Sequence, residues 1–181
     1  MVPLEEQIKG TPVMNFKTLI LAGAALITVS GAALADNTAT VIQSSPGGVN
    51  LSNISQSSTV GNNSAFVGQQ GGSFQSSNVN QRSVIGNNSA TNFQVGPGTN
   101  VSRTNQSTVI GNNNALGVQL GQNNISLSNQ RTVLGNNNNT QFQVGSGVNF
   151  IGANQRSVLG NNNFAGAQFG GAFQGVQLRQ R

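Results

Sequence analysis

The chain has no cysteine, histidine, tryptophan or tyrosine, and only three acidic side chains in 181 residues. Each absence removes a possibility. Without cysteine no disulfide can brace the fold, so something other than cross-links must hold it. Beyond residue 35 the only acid is Asp36, and there is no Lys, Glu, His or Cys. Metal sites want His, Cys or clustered carboxylates, and a single Asp cannot make one. General acid–base work near neutral pH needs His, carboxylate, Lys or Cys, and a nucleophilic Ser or Thr needs a base beside it. The composition therefore argues against an enzyme, with no catalytic residue, no metal or cofactor site and no small-molecule substrate to assign. Long apolar runs are also scarce. Leu19 to Ile27 is about half of the roughly 20 residues that span a bilayer.

That run belongs to an expected export signal over residues 1–35. Met14-Asn15-Phe16-Lys17 makes a compact basic start, the apolar run follows, and Ala33-Leu34-Ala35 supplies the small residues read by a signal peptidase. Met14 is the natural start, and the alternative of a short membrane anchor fails on length. The mature chain is then expected outside the cytoplasm. Removing residues 1–35 takes away Glu5, Glu6, Lys9 and Lys17, leaving the net charge at +5. The remaining cations are Arg82, Arg103, Arg131, Arg156, Arg179 and Arg181.

What is present is a repeat. Gly-Asn-Asn recurs at Gly61, Gly86, Gly111, Gly135 and Gly160, at spacings of 25, 25, 24 and 25 residues. A Gln stands five residues before each glycine, at Gln56, Gln81, Gln106, Gln130 and Gln155. A second follows each turn, at Gln69, Gln94, Gln119, Gln143 and Gln168, and Gln43 ends a half unit that begins at Asn37. An Asn/Gln/Gly/Ser-rich composition alone reads as disorder, but disorder has no need to hold Gln and Gly at a fixed period. The organisation reads as residues 36–50 for the half repeat, then 51–75, 76–100, 101–124, 125–149 and 150–174, with 175–181 as a basic tail.

Each unit alternates with period two, the signature of extended strands. Around Gln106 the recurring residues Ser102, Thr104, Gln106, Thr108 and Ile110 share one face, expected inward. The Arg-bearing face is expected outward. Gly111-Asn112-Asn113 supplies a turn, since Gly and Asn tolerate positive φ. A second strand follows, with Asn113, Ala115, Gly117 and Gln119 on one face and Leu116, Val118 and Leu120 on the other. The expected fold is all-β: a β-solenoid of about five strand–turn–strand coils with a 24–25-residue period. Stacked at about 4.8 Å, each Gln lies above its counterpart, so buried amides satisfy one another in a ladder and mark the register. Neither end carries an evident cap, and open strands template the addition of further copies.

Asn-x-Ala-x-x-x-Gln, at Asn37, Asn63, Asn88 and Asn113, resembles the second half of the curlin repeat of bacterial curli fibres, Ser-x5-Gln-x-Gly-x-Gly-Asn-x-Ala-x3-Gln. Here Gln and Asn stand seven residues apart rather than five, and Asn139 and Phe164 replace Ala in the last two repeats. The resemblance implies an extracellular, cell-surface amyloid fibre that serves adhesion and biofilm matrix. It further implies passage through an outer-membrane secretion pore and assembly with a nucleating subunit. The Arg-tipped chain looks more like the minor subunit of such a pair.

Two features have competing readings. Arg82, Arg131 and Arg156 share one repeat position, either as a stripe for anionic surface polymers or, the favoured reading, as gatekeepers that keep a face soluble. Phe93, Phe142 and Phe169 recur beside the second Gln; either they pack filaments laterally, or the apolar face of that strand is the inward one. For the whole chain the alternative function is a monomeric secreted solenoid binding polysaccharide, ice or nucleic acid. It lacks the Trp and Tyr platforms, regular Thr array or Lys clusters those ligands call for.

Overall fold

The computed structural model describes residues 15–20, 24–34, 36–44, 48–71, 73–170 and 173–180. Among the described residues nine strands form one sheet: β1 (Asn15–Ile20), β2 (Ala24–Leu34), β3 (Asn37–Ser44), β4 (Asn50–Val60), β5 (Asn63–Gln70), β6 (Gln75–Val95), β7 (Asn100–Leu159), β8 (Asn162–Phe169) and β9 (Phe173–Gln180). Every strand pairing is parallel, and the partner of each residue lies 24–26 positions away through the repeats. Parallel neighbours one coil apart are what a β-solenoid requires, and the described residues hold no helix.

The coil has two walls. Residues 50–60, 75–85, 100–110, 124–134, 149–159 and 173–180 stack as the first; 37–44, 63–70, 88–95, 113–120, 137–144 and 162–169 stack as the second. In β6 and β7 the strand bonding continues unbroken through the corners, so β7 alone runs 60 residues around the coil. Burial alternates residue by residue along both walls, as in β4 and β5, so the period-two pattern is the inside–outside pattern.

The corners depend on glycine. Gly61, Gly86, Gly111 and Gly135 have φ of 122°, 136°, 129° and 126°. A Cβ on them would stand 2.0, 1.8, 1.8 and 1.8 Å from the carbonyl oxygen of the next glycine in the stack. Backbone thus packs directly on backbone, coil over coil, where no side chain fits. Gly160, in the last such corner, has nothing within 4 Å of that position.

Two expectations are corrected. Ile110, assigned inward by strict alternation, is 45% exposed, as are its counterparts Val60, Ile85, Leu134 and Leu159 to similar or greater extent. The cause is the Gly corner that follows. The inward hydroxyls of Ser58, Ser83 and Ser157 donate to the carbonyls of Gly61, Gly86 and Gly160 at 2.9, 2.6 and 2.6 Å. In the coils with Ser at this place the corner starts there, whereas Thr108 and Thr132 donate to Asn88 and Asn113 at 2.6 and 2.7 Å; in every coil the aliphatic before Gly swings out. Residues 173–180, read as a repeat end and basic tail, form β9, paired in register with Val148–Gln155.

Before residue 36, β1 pairs with β3 and β2 with β4, adding one further coil at the N-terminal edge. Met14 and Ala35, the expected start and cleavage residues, lie outside the described residues.

Candidate functional site

The expected ladders run through the interior. On the first wall Gln56, Gln81, Gln106, Gln130 and Gln155 are at most 3% exposed. Each Nε2 donates to the Oε1 of the next, at 2.7, 2.9, 2.8 and 2.9 Å, and Gln155 donates to Gln180 at 3.0 Å. On the second wall Gln43, Gln69, Gln94, Gln119, Gln143 and Gln168 are linked in the same way, at 2.9, 2.9, 2.7, 2.9 and 3.1 Å.

The second N–H of each amide crosses the thin interior to the opposite wall. Gln81, Gln106, Gln130 and Gln155 reach the carbonyls of Ser64, Ser89, Asn114 and Asn138. Gln69, Gln94, Gln119 and Gln143 reach those of Leu51, Ser76, Val101 and Ile125. One side chain therefore binds coil to coil and wall to wall. A buried amide left unpaired costs about 1–3 kcal/mol, so Gln at these positions enforces register in both directions.

Asparagine columns accompany the glutamines. Asn63, Asn88 and Asn113 donate back to Asn37, Asn63 and Asn88 at 3.0, 3.0 and 3.2 Å. Beyond Asn113 the column passes through a hydroxyl: Asn137 donates to Thr132 at 2.5 Å, and Thr132 donates to Asn113 at 2.7 Å. A further amide column, Asn50, Gln75, Asn100, Asn124 and Asn149, is fully buried beside the second turn. There Asn124 and Asn149 donate to Asn100 and Asn124 at 3.0 and 2.8 Å, while Gln75 and Asn100 hold the turn carbonyls of Gly96 and Gly121. The column was not evident from the sequence because Gln75 interrupts its asparagines, although its members keep the same spacing. Gln180 was equally hidden: it lies 25 residues after Gln155 but has no Gly-Asn-Asn behind it.

The outer surface settles the second wall's orientation. Asn113, Ala115, Gly117 and Gln119 are buried, while Phe93 and Phe169 are exposed and Phe142 is half-buried, so the aromatics face outward. Phe142 and Phe169 stack along the axis with centroids 5.7 Å apart, and the Phe93 ring covers the gap at Gly68. Arg82, Arg131 and Arg156 are exposed on the first wall, as are Arg103 and Arg179, against one carboxylate, Asp36, among the described residues. No group of His, Cys, Asp or Glu among the described residues is arranged to hold a metal ion. Chemically the arrangement is a set of stacked amides joined by Ser and Thr hydroxyls. No protein family, curated protein or solved structure matches the chain.

Proposed function

We propose that the chain is a secreted, non-enzymatic subunit of a curli-like extracellular amyloid fibre that grows by head-to-tail stacking of copies. The observation that carries this reading is the continuity of the two glutamine ladders, joined with the phase of the two ends. Each wall has six stacked segments from residue 37 onward, so the C-terminal end offers one second-wall strand, β8, and one first-wall strand, β9. The N-terminal end begins with β3 and β4, one of each.

A second copy seated on that end, with every coil in register, places Gln43 over Gln168 and Gln56 over Gln180. The same step lays Ala39 over Phe164, Val41 over Gly166 and Ile54 over Leu178: small against large, or apolar against apolar. Parallel open edges are templates for such addition, and amide ladders extend across the joint at no loss of pairing. In the unprocessed chain β1 and β2 hold the β3 and β4 edges, so this reading requires removal of the segment through Ala35. The adhesive and biofilm roles, the secretion pore and the nucleating subunit follow from the curlin resemblance and belong to the same proposal.

Residues 36–181 incubated at neutral pH are expected to assemble after a lag, bind thioflavin and give a reflection near 4.8 Å. The combined change of Gln81, Gln106 and Gln130 to Leu should slow that assembly severalfold. A protein that stays monomeric and β-rich for days would overturn the fibre and favour the monomeric ligand-binding solenoid.

A further inference from the structure

Where the first wall meets the Gly-Asn-Asn corner, two columns of aliphatic side chains face solvent. Val60, Ile85, Ile110, Leu134 and Leu159 form the outer one; Val84, Val109, Val133 and Val158 stand beside it. All but Val84 are exposed, Leu159 by 76%. Five rungs at the strand spacing make a ridge roughly 19 Å long. Two residues further from the corner, about 7 Å along each strand, Arg82, Arg131 and Arg156 point out of the same face, with Ser57 in the first rung and Ser107 between Arg82 and Arg131. At the C-terminal end Arg156, Val158 and Leu159 line one depression of about 740 Å³.

End-to-end stacking does not cover this ridge, which lies along the side of the coil. A contiguous exposed apolar strip of this kind marks a contact surface. We infer that it docks on an anionic lipid surface, with the aliphatic columns at the acyl boundary and the guanidinium groups among the lipid phosphates. Charge decides the partner. Neither the ridge nor its flanking Arg/Ser column holds a carboxylate, so pairing two ridges brings like charges to one seam. A nucleic acid or acidic polysaccharide engages the Arg column and leaves nine aliphatic side chains in water. Apolar burial joined to cationic contact is the combination that anionic bilayers reward. The inference stands apart from the fibre reading, because a single copy already carries the whole ridge.

The test uses the full chain with vesicles of phosphatidylcholine alone, or with one quarter phosphatidylglycerol. The protein has no Trp, so Val109→Trp installs a single reporter on the ridge and Thr140→Trp a control on the opposite wall. Anionic vesicles are expected to shift Val109→Trp emission to the blue and, with brominated acyl chains, to quench it, leaving Thr140→Trp unchanged. The reporter separates the ridge from the apolar stretch at residues 19–27, which itself favours lipid. Arg82→Gln, Arg131→Gln and Arg156→Gln together should weaken the ridge signal by at least about tenfold, since each cation near an anionic surface is worth roughly fivefold. Ile110→Ser with Leu134→Ser should do the same while circular dichroism stays β-rich. An unshifted Val109→Trp, equal response on neutral vesicles, or binding indifferent to the Ser changes but abolished by competing DNA would overturn the lipid assignment.

Discussion

The first coils and the middle coils share one backbone but have different interiors. Around Val41, Ile54, Val67 and Val79 the centre is apolar and closes into a cluster with Ala39, Ala65 and Ala90. One coil on, the positions of Val67 and Val79 are taken by Asn92 and Thr104. Thr104 donates to Asn92 Oδ1 at 3.1 Å, and Asn92 donates to Ser77 at 3.0 Å. In the next coils Ser126 donates to Gln141, and Asn139 donates to Ser128 at 2.6 Å. The last coil returns to Ile151 and Ala153. The lesson is that the centre columns are interchangeable, apolar or polar, while the Gln columns and Gly corners recur in coil after coil. Shape is held by what is stacked at the corners, and the centre needs only to be filled and satisfied.

The largest break of that comparison is at a corner. Gly111→Ala puts a methyl 1.8 Å from the Gly135 carbonyl at a φ of 129°, and should destabilise by more than about 4 kcal/mol in urea titration. Gly160→Ala meets no neighbour, so its monomer should lose only about 1–3 kcal/mol from backbone strain. Equal effects of the two on monomer stability would contradict the stacked-glycine account.

Next comes the centre. Ile54→Ala in the apolar coils is expected to cost about 2–5 kcal/mol, the usual range for an emptied aliphatic site. Thr104→Val should cost about 1–2 kcal/mol because it strands the Asn92 carbonyl oxygen. Adding Asn92→Val rebuilds the Val67–Val79 pattern one coil later and leaves only the Ser77 hydroxyl without its Asn92 donor, so the double variant should recover part of that loss. A double variant less stable than Thr104→Val alone would show that the polar centre does more than fill space. The smallest effect is with pH. The chain has no His, Cys or Tyr side chain to change charge between pH 5 and 9, and chemical denaturation midpoints should stay level across that window.

Much of the fold was legible because the repeat signals are backbone signals. Gly at 25-residue spacing predicts a corner column, and period two predicts which face of Gln106 turns inward. The outward swing of Ile110 was not legible, because alternation along a strand does not show where the strand gives way to the Gly111 corner. Nor was the pairing of Asn92 with Thr104, since alternation tells which residues face inward but not which ones meet across two walls. The amide column at Asn50, Gln75 and Asn100 and the last rung at Gln180 kept the period all along. They were hidden by a change of side-chain length in one case and by a missing turn motif in the other.

Among the described residues both walls hold the same number of segments, so the described coil amounts to whole turns. Deleting 25 consecutive residues from its middle, such as 76–100, shortens the rod by one step and leaves its two faces matched. Deleting only β9 leaves one wall a step short, so every junction along a filament would carry a missing strand.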